Sequence, residues 1–207
     1  GPGSHAERLN TAAKKASGGV LVFFKSGILP LSDNWLREMA SLAVQKGIGA
    51  VGTKLLYRDG SIHHGGIILG INGLVGIAER GLPRWFDGNL LRAQVVNNFS
   101  AVLGSCMATR TELFREAGGF DEQNLANGLF DADYCLRLKE KGYRTTWTPY
   151  AEFVVDEKTA TEEIIENRAS EEVRYFCRKW AKVIENDPYY NPNLTRIKED
   201  FSIDLNL

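Results

Sequence analysis

Asp131 and Asp133 stand two residues apart in "GLFDADYCLRLKEKG", and a third carboxylate, Asp121, precedes them in "GGFDE". A carboxylate in the first turn of a helix is kept charged by the backbone dipole, so Asp131 is suited to accept a proton at neutral pH. The same placement suits a plain helix cap, a role aspartate often fills. Asp133 and Arg137 are spaced to pair along one helical face. That pairing is a structural role, although Asp133 is also near enough to the helix start to turn toward a ligand. Gly118 and Gly119 permit a tight, positive-φ loop ahead of Asp121, which would fix that loop.

A second stretch, "VLVFFKSGILPLSDNWL" (residues 20–36), reads as a buried strand followed by a helix. Ligands of α/β proteins bind beyond the carboxyl ends of strands, and enzymes that handle nucleotide diphosphates commonly place carboxylates there for a divalent metal. Here the strand ends on Lys25, and no carboxylate follows before Asp33. Lys25 is either a solvated lysine or a point charge that partly neutralises an anionic ligand. His63 and His64 are adjacent on a strand-like segment and point to opposite faces, so they cannot share one metal. A surface or backbone-bonded role is expected for them, with at most one facing the cleft. Trp85 and Phe86 either stack on a sugar ring or anchor their glycine-rich loop. Cys106, Cys135 and Cys177 are scattered, without a CxxC pair, which reads as small buried hydrophobes in a reducing compartment.

The elements that must position these residues alternate. Residues 6–17 favour a helix ended by Gly18-Gly19, and "VLVFF" is a strand. A helix with Asp33 as N-cap places Leu36, Met39, Ala40 and Ala43 on one face. "GIGAVGTKLLY" is a second strand, turned by Asp59-Gly60. Residues 72–98 are glycine-rich and poorly periodic, longer than an ordinary connection. "SAVLGSCMATR" is a strand, "TELFREAG" a short helix, "FDADYCLRLKEKG" a helix closed by Gly142, and "YRTTWTP" a strand stopped by Pro149. Ile165, Ala169, Val173, Phe176, Trp180 and Val183 lie at the spacing of one long amphipathic helix. The proline-punctuated tail carries no regular element. The whole is an α/β chain.

Four segments together resemble family 2 of the GT-A fold glycosyltransferases, the group of bacterial polysaccharide and rhamnosyl transferases. They are "LNTAAKKASGGVLVFF", "AVGTKLLYRDGSIHHGGIILG", "SAVLGSCMATRTELFREAGGFDE" with "DADYCLRLKEKGYR", and "TPYAEF" with "DPYYNPNLT". The resemblance implies a Rossmann-like GT-A domain that moves a sugar from a nucleoside-diphosphate donor to an acceptor hydroxyl, with inversion, in polysaccharide or cell-surface glycan synthesis. It implies a cytoplasmic location or the cytoplasmic face of the membrane. It also implies about 70 to 90 preceding residues carrying the first strands, on the scale of two βα units. On that reading residues 5–160 are a partial GT-A domain, 161–207 a helix and tail packed on it, and 1–4 a tag remnant. Such a fragment is expected to be inactive alone and to self-associate through uncovered apolar surface and strand edges.

The resemblance implies that Asp131 is the base. Gly119, Asp121, Asp133, Lys25 and His64 are the matching candidates for acceptor or donor contact. Phe130 stands where relatives often carry Glu. The family's Mg²⁺ or Mn²⁺ carboxylates fall on Gly27 and Leu29, and its histidine ligand on Val155, beside Asp156 and Glu157. Glycine, leucine and valine offer no ligand to a hard cation, so no metal or other cofactor is expected. The competing reading is a catalytically degenerate glycan-binding or scaffolding module.

Among the 207 residues the formal net charge is −1 and 43% are apolar. A core of ordinary size is therefore possible, and charge gives no reason to invoke nucleic acid. No apolar run approaches the roughly 18 residues of a membrane span.

Overall fold

A computed structural model describes residues 3–155 and 170–205. Helix α1 (His5–Lys15) is opened by a capping box. Ser4 Oγ accepts from Glu7 N and Glu7 Oε2 accepts from Ser4 N, both at 3.2 Å. Ser4, set aside above as a tag remnant, thus starts the first helix.

Strand β1 (Val20–Phe24) follows, then a short β2 (Leu29–Pro30), α2 (Trp35–Ala43), β3 (Ile48–Leu56) and β4 (Ile62–His64). A hairpin of β5 (Ile67–Leu69) and β6 (Val75–Ile77) leads into residues 78–96, which include a 3₁₀ segment (Asn89–Gln94), and then β7 (Asn97–Phe99). The chain continues through β8 (Cys106–Arg110), α3 (Thr111–Glu116), α4 (Phe130–Glu140), β9 (Arg144–Val154) and α5 (Glu171–Glu185).

The main sheet has the order β1-β8-β3-β9-β2, with β4 on β3 and β7 on β9. Only β3 and β9 run parallel; every other pairing is antiparallel. All nine residues of β3 are buried, as expected for a central strand covered on both faces.

Four expectations change. Helix α2 begins at Trp35 after Asn34, so Asp33 is not its cap, and Leu36 is 51% exposed instead of joining Met39 and Ala43 in the core. Pro149 does not stop β9. The β3–β9 register jumps from Thr53↔Thr148 to Lys54↔Glu152, and the proline sits in that bulge, where no ladder N–H is needed. Of residues 100–110 only 106–110 are strand, because the preceding loop turns toward α4. The glycine-rich stretch 72–98 contains β6, the 3₁₀ segment and most of β7, each too short to show a period.

Within the described residues α5 buries Val173, Phe176, Trp180 and Ile184 on one face, and Ser170 Oγ caps it on Val173 N. Ile165 and Ala169 lie outside the described residues. The tail has no helix but is knitted down. Asp187, 2% exposed, accepts from Leu69 N (2.7 Å), Ser100 Oγ (2.7 Å) and Tyr189 N (2.8 Å).

Candidate functional site

Phe23 of β1, Phe114 of α3, Phe120 of the glycine loop, and Phe130 and Tyr134 of α4 form an aromatic cluster with ring centroids 4.9 to 5.5 Å apart. Such clusters add to the area they bury and lock element positions. This one fixes the start of α4 against the end of β1.

Asp131 occupies that start. Its Oδ1 accepts from Ala132 N and its Oδ2 from Gly104 N, each at 2.8 Å. Gly104 is required for the approach, since a Cβ there would meet the Asp131 Cβ at 3.0 Å. The residue is buried, 2% exposed.

Lys25 is tied to the same loop through its backbone, with Lys25 N donating to Ser105 O at 2.8 Å. His5 packs edge-on to Phe130 at 5.2 Å and lies within reach of both charges. Burial and Arg8 lower its pKa, Asp131 opposes them, and Lys25 adds to the lowering. Lys25 and Asp131 therefore flank one point at the end of the sheet.

His64 serves this geometry from behind. Its Nδ1 lies 3.0 Å from Thr53 O, and Nε2 accepts from Leu103 N at 3.3 Å. These contacts assign a neutral ring with the proton on Nδ1. His64 thereby holds the residue next to Gly104, which in turn holds Asp131. His63 is also buried, edge-on to Tyr57 at 4.8 Å, so neither histidine is on the surface.

Asp133, 0% exposed, is surrounded by Arg137 Nε (2.7 Å), Trp180 Nε1 (3.0 Å) and Lys179 Nζ (2.7 Å). Arg137 extends beyond it to donate to Ala117 O, and to Gly119 O at 2.6 Å. Asn10 of α1 clasps Phe120 on both backbone groups at 2.9 Å. Gly119 has φ 72°, and a Cβ would come within 2.7 Å of Asn10 Oδ1. Asp121 accepts from Asn124 N (3.0 Å), Asn124 Nδ2 (3.1 Å) and Tyr175 OH (3.1 Å). Partial burial raises its pKa, but those bonds and Lys179 outweigh it and leave it below the ordinary value.

The residues proposed from sequence thus fall into two groups. Asp131, Lys25 and, indirectly, His64 converge at the sheet's end. Gly119, Asp121 and Asp133 build the neighbouring loop. A cavity of about 500 Å³ between α1 and that loop is lined by Asn10, Lys14, Arg115, Gly119 and Asp121, but not by Asp131. Sequence reading missed Gly104 and Asn10. The glycine before Ser105 was a visible signal, whereas Asn10 looked like any polar helix residue.

Gly27, the exposed Leu29 of β2 and the buried Val155 have side chains without oxygen or imidazole. Among the described residues no group of three or more His, Cys, Asp or Glu is placed to hold a metal ion. Asp156 and Glu157 lie outside the described residues. The described side chains do not fit the divalent cation that the resemblance implies.

This mixed sheet, with its acid-bearing helix start, is the GT-A fold of glycosyltransferases. It is similar to solved structures at low identity: GalNAc-T7 with UDP, GalNAc and Mn²⁺ superposes with TM-score 0.58 at 14% identity, over 92% of this chain and 46% of that one. The mannosyltransferase PcManGT of Pyrobaculum calidifontis, with GDP-Man and Mn²⁺, gives 0.51 at 19%, over 89% and 44%. In sequence the chain is 34% identical over 204 residues to the uncharacterized protein y4gI of Sinorhizobium fredii (strain NBRC 101917 / NGR234), covering 97% of this chain and 22% of the relative. It is 32% identical over 193 residues to the O-antigen biosynthesis protein RfbC of Myxococcus xanthus, covering 92% and 15%. No family model matches.

Proposed function

We propose that this chain is the sugar-transferring domain of a polysaccharide-building glycosyltransferase of family 2. The observation that carries the reading is the Asp131 carboxylate, fixed by two backbone N–H groups at a helix start on a GT-A sheet. In the proposed step Asp131 takes the acceptor hydroxyl proton. The hydroxyl oxygen forms a bond to the anomeric carbon from the face opposite the leaving group. The bond to the β-phosphate oxygen breaks, its electron pair leaves with the nucleoside diphosphate, and the configuration inverts. Lys25 offsets part of the diphosphate charge. Asp133, Asp121 and Gly119 shape the loop beside the acceptor, and His64 keeps the Asp131 support in place. The donor is a nucleoside-diphospho-sugar and the acceptor a growing glycan, in line with the name of the Myxococcus relative. The reaction is assigned to the cytoplasmic side.

Gly27, Leu29 and Val155 at the family's ligand positions favour a second reading, a glycan-binding module without chemistry. Transfer by the intact protein from a panel of nucleoside-diphospho-sugars, with and without EDTA, separates the two. Transfer that persists in EDTA is the expected result. No transfer from any donor, together with specific glycan binding, would establish the second reading.

A further inference from the structure

Residues 84–93 form a closed loop whose neck is fastened by one buried cation. Lys54, 1% exposed, donates from Nζ to Arg84 O (2.9 Å) and Ala93 O (3.2 Å). Ala93 N returns to Asp87 O at 3.0 Å, and Gln94 Nε2 donates to Phe86 O at 3.1 Å. Glu152 clamps Arg84 from outside at 2.5 and 3.2 Å. Bonds of this kind make a fixed loop rather than a floppy one.

Its tip is apolar and turned to solvent. Trp85, Leu90 and Leu91 are 78%, 91% and 55% exposed. Leu90 and Leu91 both have left-handed backbone, with φ 55° and 64°, which a branched apolar side chain rarely adopts. A fastened neck thus holds two strained leucines and a tryptophan out toward solvent.

We propose that this tip is a wedge that inserts into the headgroup–acyl boundary of a lipid bilayer. Tryptophan beside leucines matches that layer, which takes apolar side chains and an indole N–H together. Three side chains fall far short of the roughly 20 to 30 residues a side of a stable protein interface. Charge is not the driver. Arg84 is paired with Glu152, Asp87 is exposed, and Arg92 turns inward over Phe99 and Phe201 at 5.4 and 4.6 Å. The strand register sets the direction. Gly52 opposes Met107, which opposes Phe23, so Lys54 and the wedge lie toward the same end of the sheet as Lys25. Docking by the wedge would present that end to the membrane. The inference does not depend on Asp131 being a base, and Asp131→Asn should bind vesicles as the unaltered protein does.

The test is co-sedimentation of the intact protein with vesicles of phosphatidylcholine alone and of phosphatidylcholine with phosphatidylglycerol. Binding to both, little changed by salt, is expected. The paired change Leu90→Asn and Leu91→Asn should cut partitioning by about tenfold or more. It should leave the melting temperature equal or higher, because asparagine tolerates left-handed backbone. Trp85→Ser is the second variant and should weaken binding in the same direction. No binding to either vesicle would overturn the proposal. So would binding that survives both variants, or binding confined to anionic vesicles and lost in salt. Capture of a glycan or protein through Trp85 without vesicle binding would also overturn it.

Discussion

Two aspartates in one helical turn have opposite surroundings. Asp133 faces a guanidinium, an ammonium and an indole N–H, so its acceptor capacity is largely used in holding the structure. Asp131 instead accepts from two backbone amides, Gly104 N and Ala132 N. Their roles follow from partners, which spacing alone does not reveal. Glu79 is a third case. It is 2% exposed, and burial pushes its pKa up to about 7, against the pull of Arg92 and the Asn89 backbone and with the help of Asp200. An acid raised in the folded state keeps its proton while the unfolded chain loses it, so stability falls as pH rises from the ordinary carboxylate value to about 7. Glu79→Gln should remove that fall and raise stability at pH 8 by something on the order of 2 to 3 kcal/mol. Urea melts at pH 5 and pH 8 would check it. Identical pH profiles for the two proteins would contradict it.

At the scale of elements, the glycine loop between α3 and α4 is held by two side chains distant in sequence. Asn10 clasps Phe120, and Arg137 bonds Ala117 O and Gly119 O while pairing with Asp133. Arg137→Ala should destabilise by roughly 2 to 3 kcal/mol, less than a fully orphaned buried charge would, because Lys179 and Trp180 still serve Asp133. Gly119→Ala combines positive φ with a clash and should cost about as much. Chemical denaturation measures both, and a loss below about 0.5 kcal/mol for either would show the loop is held otherwise. The glycines and acidic helix start were legible in the sequence because turn chemistry and capping are local. The clasp was not, since Asn10 and Phe120 meet only through the fold. Three-residue strands such as β4 and β7 carry too little pattern to read, and the bulge that admits Pro149 is set by its neighbour β3.

For the whole molecule, the mixed sheet gathers the end of β1, the loop before β8 and the start of α4 at one end. The fold class was readable from four segments in order. No described helix is long and apolar enough to cross a membrane. The chain spans 22% and 15% of the two curated relatives, so its activity is a matter for the intact protein. The central claim is that Asp131 removes the acceptor proton. Asp131→Asn leaves one backbone N–H facing an amide NH₂, so about 1 to 2 kcal/mol of stability should be lost. The rate must therefore be measured where both proteins are folded. Sugar transfer by intact Asp131→Asn protein is expected to fall about 10² to 10⁴-fold with donor affinity little changed. Transfer at the unaltered rate would contradict the account.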